Sequence, residues 1–164
     1  MTPLIAADTT FSPQSRVWVY TSNRLLTVEE SAFAQKNLDD FCQRWTAHNQ
    51  ALQARAEVFE NQFIIFLVDE TKAGASGCSI DKSVHFLEQL GMEINADFFE
   101  RMRFAWVDDE GAMRFANRPE FVALVRQGSI DNETLVADTL VQTKQKLEEN
   151  WLVPFGKSWH KRLV

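Results

Sequence analysis

Strand-forming runs and amphipathic stretches follow one another over residues 16–107 in the order strand, helix, strand, strand, helix, strand. That order predicts an α+β fold, the ferredoxin-like split βαβ sandwich. Two observations sharpen it. The run Phe63 to Val68 (FIIFLV) has the unbroken apolar character of a central strand covered on both faces, and 45% apolar residues in 164 suffice for one real core. We expect an antiparallel sheet with helices on one face, extended by a hairpin and a C-terminal segment. Residues 1–15 read as a flexible N-terminal arm, and 16–164 as a single domain.

Each element has a local cause. Arg16 to Thr21 (RVWVYT) alternates Val17 and Val19 against Trp18 and Tyr20, all strand formers. Thr27-Val28-Glu29-Glu30 has the form of a capping box, in which hydroxyl and carboxylate satisfy each other's end of a helix start. Ala34, Leu38, Phe41, Cys42 and Trp45 then recur at helical spacing. Gln53 to Glu60 and the apolar run after Asn61-Gln62 form a hairpin. A second helix is expected from Ser79 to about Leu90, with Gly91 past its end as a C-cap. Residues 97–102 read as a turn or short helix.

Arg103 to Val107 and Ala112 to Ala116 flank Asp108-Asp109-Glu110-Gly111, a second hairpin. Pro119 suits the first turn of a helix that Gly128 closes. Thr134 to Thr139 reads as a strand, or as the start of a long helix through Trp151; its β-branched content favours the strand. Pro154 and Gly156 end regular structure, and the tail SWHKRLV follows. Over Trp151 to Arg162, Trp151 and Trp159 are expected to fold back over the sheet while the basic side chains stay in water.

Composition excludes some classes. Against 17 Lys and Arg stand 23 Asp and Glu, a formal charge of -6, so there is no overall attraction to phosphate backbones and no nucleic-acid partner is expected. No stretch reaches the roughly 18 apolar residues of a membrane span, and Met1 to Ser15 lacks the basic start of a secretory signal. Two cysteines do not make a disulfide framework. We expect a cytoplasmic protein with free thiols, no membrane partner, no cofactor and no metal.

One stretch, Val68 to Ser83, concentrates an acidic pair, small residues and a cysteine. FIIFLVDE has the form of a Walker B strand, where Asp69 would hold magnesium and Glu70 polarise water. The P-loop that must accompany it is missing: Gly77-Cys78-Ser79-Ile80-Asp81-Lys82-Ser83 lacks the second glycine and follows the acidic strand. Gly74, Ser76, Gly77 and Ser79 suit an anion-binding loop, because small residues let backbone amides converge where a helix begins, and Lys82 lies one turn on. Cys78 could act there as a nucleophile. His85 stands seven residues further along the helix, about 10 Å by its rise, so the base would have to be His48 or His160 brought in by the fold. The plainer reading of Cys78 is a small buried or capping residue. Asp81, His85 and Glu88 have spacings that can share an ion, but such pairs are common on solvated helix faces.

VWVYTSNRLL, the W-x-x-H of Trp45 to His48, the VDE-to-GCSID run and PFGKSWHKR together resemble an uncharacterised bacterial family whose members often carry the label "ABC transporter ATPase". Taken literally, the label implies a nucleotide hydrolase; the resemblance brings no catalytic residues with it. The sequence therefore supports a small binding or interaction module that takes a small anionic ligand or a protein partner at residues 70–83. The alternatives are a thiol-dependent enzyme using Cys78 and, further off, the hydrolase of the label.

Overall fold

β5 (Phe63–Val68) is buried at all six positions, and the rest of the chain is layered on its two faces. Ile64, Phe66 and Val68 point into one core cluster, Phe63, Ile65 and Leu67 into another. The period-two alternation of a strand makes both clusters from one run. In this computed structural model, which describes residues 1–164, β5 lies between β1 (Arg16–Thr21) and β4 (Ala54–Phe59), antiparallel to both. β1 and β4 thus run the same way, joined by α1 (Val28–Arg44), which is the expected split βαβ arrangement.

α1 starts at the expected capping box: Glu30 N–H donates to Thr27 Oγ1 at 3.0 Å and Thr27 N–H to Glu30 Oε1 at 2.9 Å. Arg24 closes a fork onto the same carboxylate and, with the Thr27 amide, holds Glu30 down to about 2. Two short strands follow, β2 (Thr46–Ala47) and β3 (Gln50–Ala51), around a turn in which His48 and Asn49 both have positive φ.

α2 (Gly77–Ile94) is longer at both ends than its sequence pattern suggests. Its N-cap is Ser76, which makes a box with Ser79, and it runs through Gly91 to a left-handed cap at Asn95. Gly91 is therefore not the cap. It is needed because the chain folds back on the helix: Ala96 N–H donates to Gly91 C=O at 2.9 Å, and a Cβ on Gly91 would stand 2.4 Å from Ala96 O. α1 and α2 cover one face of the first sheet and enclose the cluster around Leu38, Phe66 and Leu87.

The fourth strand departs from the ferredoxin-like order, which would seat β6 (Arg103–Val107) beside β1. Instead β6 joins β7 (Met113–Asn117), β8 (Leu135–Ala137) and β9 (Leu152–Pro154) in a second antiparallel sheet of order β7-β6-β8-β9. The two sheets meet across the cluster of Phe63, Ala105 and Trp151. α3 (Arg118–Arg126) and the C-terminal residues cover the far side of the second sheet, around Phe104, Phe121 and Phe155. Residues 134–151 split into β8 and α4 (Lys144–Asn150) rather than one helix.

The first fifteen residues, expected to form a flexible arm, instead send Ile5, Ala6 and Phe11 into the core. Ile5 and Ala6 are fully buried between the sheets and α4, and Ile5 N–H donates to Glu57 Oε1 at 2.9 Å. Their short apolar run completes a core whose other members lie far away in sequence. No helix is long and apolar enough to cross a membrane.

Two glycines make a paired test of this geometry. Gly91→Ala should cost about 1–3 kcal/mol through overpacking against the Ala96 carbonyl. Gly77→Ala, with open space around its Cβ, should be neutral or stabilise by up to about 1 kcal/mol. Urea unfolding of the two variants checks both signs.

Candidate functional site

The loop after β5 turns its two carboxylates onto backbone amides. Asp69 is buried, accepting hydrogen bonds from Thr71 Oγ1 (2.6 Å), Thr71 N–H (3.0 Å) and Ser12 N–H (3.1 Å). These donors, Thr71 first, hold its carboxyl below the ordinary range. Glu70 Oε2 accepts from Ala75 N–H at 2.9 Å and sits beside Gly74. The acidic pair thus ties the N-terminal segment and the small-residue loop to the end of the central strand.

At the start of α2 the amides are also largely taken. Ser79 N–H donates to Ser76 Oγ at 3.1 Å and Ser76 N–H to Ser79 Oγ at 2.7 Å. Ser79 is buried because Trp45 Nε1 donates to its carbonyl at 2.8 Å, which docks the helix start on the end of α1. Only the Gly77 and Cys78 amides remain free in this turn, and both residues are exposed.

Cys78 opens onto a groove of about 640 Å3 between α1 and α2, with Phe41, Trp45 and Phe86 on its apolar wall and Arg44, Lys82 and His85 at its rim. His48 is exposed in the β2–β3 turn and is not among the residues lining this groove. His160 belongs to the far layer, its ring against Phe104 and Phe121. No group of three His, Cys, Asp or Glu side chains is placed to hold a metal ion. Cys42 is the buried thiol; burial, with Asp39 adding, pushes it up to about 12.

A second concavity lies where the ferredoxin-like order would put the fourth strand. The open edge of β1, Val17 to Thr21, forms one wall of a cleft of about 530 Å3; Phe104, Ala105 and residues 139–142 form the other. Its charged residues are Glu100, Arg101 and Arg103, with the buried His160 at the back. Glu100 Oε1 is engaged by Met102 N–H at 2.7 Å. Arg103 Nε is buried without a partner, and neither arginine enters any of the four ion pairs in the chain.

No family model, curated protein or solved structure matches this chain. The cleft must be judged on its chemistry alone.

That chemistry is a half-enclosed, mostly apolar hollow carrying two arginines that have no ion-pair partner, Arg103 resting over the Phe115 ring at 5.8 Å. In a chain with a net charge of -6, surplus cations facing a cavity are where an anion gains most from binding. The sequence pattern did not single out Arg101 or Arg103. Their only signal was two arginines flanking Met102 just before an apolar strand, a pattern shared by many surface turns.

His160 sets a pH limit on this layer. Its Nδ1 pairs with Ser158 Oγ, and burial pushes it from 6.5 down to about 4 against the opposing pull of Asp138. A depressed histidine stabilises the fold fully above pH 6.5, and the contribution is lost as pH falls towards 4, at most roughly 3 kcal/mol. In wild type, urea midpoints should therefore drop between pH 7 and 4.5 by more than in His160→Asn. For the thiols, a maleimide should label Cys78 alone in the native protein and both cysteines in denaturant.

Proposed function

We propose that the protein is a binding module whose ligand is an apolar carboxylate taken into the cleft beside β1. The observation that carries the reading is Arg103, whose buried Nε has no partner and which lines the cleft together with the unpaired Arg101. A carboxylate in the cleft accepts charge-assisted hydrogen bonds from a guanidinium, worth about 1.5–3 kcal/mol, and neither cleft arginine is held in an ion pair. Phe99, Phe104 and Trp159 supply the apolar surface that would bury the rest of such a ligand.

This moves the anion site from residues 70–83, where Glu70 and the Ser76–Ser79 pair already occupy most of the amides, to the other end of the first sheet. The thiol-enzyme reading has less support. Cys78 and His85 share a groove, but one helix holds them seven residues apart, about 10 Å along its axis. The hydrolase reading needs a free Asp69 to take a metal, and three donors engage that carboxylate.

Titration with 3-phenylpropanoate, followed by tryptophan fluorescence from Trp18 and Trp159, should saturate. 3-Phenylpropanamide should not bind, and Arg103→Gln should weaken the acid by about tenfold or more, the worth of a charge-assisted hydrogen bond. A non-saturating response, or equal binding to wild type and Arg103→Gln, would remove the reading.

A further inference from the structure

We infer that the natural occupant of this cleft is an extended acidic segment of a partner protein, added to the first sheet as a strand beside β1. The inference rests on the cleft being the binding site, as proposed above, and names the kind of ligand.

The hydrogen-bond parity of β1 decides which of its residues are free. In an antiparallel pair, alternate residues exchange both backbone bonds with one neighbour while the others face away. Ser22 N–H donates to Gln62 C=O at 2.8 Å, so the even-numbered residues of β1 belong to β5. Val17, Val19 and Thr21 face away, towards the cleft that all of β1 from Val17 to Thr21 lines. At one end Val17 N–H donates to Gln142 C=O at 3.0 Å; at the other Thr21 C=O accepts from Glu100 N–H at 3.2 Å. Between these two clamps the N–H and C=O of Val19 have neither a backbone nor a side-chain partner, because β1 pairs with no second strand.

An open edge beside a buried strand is normally covered or blunted. Here the chain covers both ends of it and leaves the middle open over roughly 13 Å, the rise of four strand residues. A short extended peptide fills that length, with its own N–H and C=O meeting those of Val19. This is strand addition, in which main-chain bonds give affinity and flanking side chains give selectivity. Selectivity for an acidic residue follows from Arg101 and Arg103, with Glu100 turned onto the Met102 amide. A second copy of this chain fits poorly, because pairing two β1 edges would bring together the arginines that line the cleft beside each of them.

The test uses the full chain and a set of N-acetylated tetrapeptide amides containing one Glu among Val, Thr and Phe. Calorimetry should show at least one peptide binding tenfold tighter than 3-phenylpropanoate. N-methylation of its central amide should cost tenfold or more, and hydrogen exchange at the Val19 amide should slow when it binds. Equal binding of the N-methylated peptides with unchanged Val19 exchange would overturn the strand inference while leaving the carboxylate site standing. Binding of neither peptide nor 3-phenylpropanoate would overturn both. Saturable self-association in sedimentation, abolished by Arg103→Glu, would overturn it in favour of a second copy.

Discussion

The structure depends on the burial of one strand from both sides. Each side chain of β5 contributes roughly 1.5–3 kcal/mol by leaving water, so the six together match the whole net stability of a small domain, about 5–15 kcal/mol. Such a strand can exist only if two separate layers are delivered to it. α1 and α2, with Phe98 just beyond α2, supply one, through Leu38 and Leu87; the second sheet, α4 and the N-terminal residues supply the other, through Ala105, Leu147 and Ile5. The acidic pair at its end is structural in the same sense, since Asp69 gathers the Ser12 and Thr71 amides where the apolar run gives out.

Covering both faces also explains the position of the cleft. A single sheet of four strands with helices on one face would leave Phe63, Ile65 and Leu67 in water. Withdrawing β6 into a second sheet covers that face, but it strips β1 of its outer neighbour. The open edge and the filled core are two results of one displacement. The cleft inherits its charged lining from the segment that carries the chain away, through Glu100 and Arg101 before β6 and Arg103 at its first position.

What could be read in advance follows the range of the forces involved. Local signals were sound: the Thr27–Glu30 box, the hairpin from β4 to β5, the Asp108–Gly111 turn and the helix after Asn117 all arise from neighbours within four residues. The α+β class and the β1-β5-β4 order were legible because one helix and one hairpin suffice to specify them. The seat of β6 was not, since a strand of this composition can pair at either edge and the choice is made by the distant face of β5. The candidate loop shows the same limit. Small residues before a helix signal converging amides, but only the folded chain reveals which are engaged: those of Ala75, Ser76 and Ser79 are bonded, and those of Gly77 and Cys78 are not. Arg103 looked like any strand-flanking cation until the fold left its Nε buried and alone.

The burial of Ile5 and Ala6 bears on how the two layers are held together. Ile5 and Ala6 share their cluster with Phe63 and Ile65 of β5 and with Val141, Leu147 and Trp151, so one short segment joins the central strand to a helix far along the chain. With that segment detached, this face of β5 loses part of its cover, and a partly unfolded chain exposes its most apolar strand to any neighbour able to pair with it.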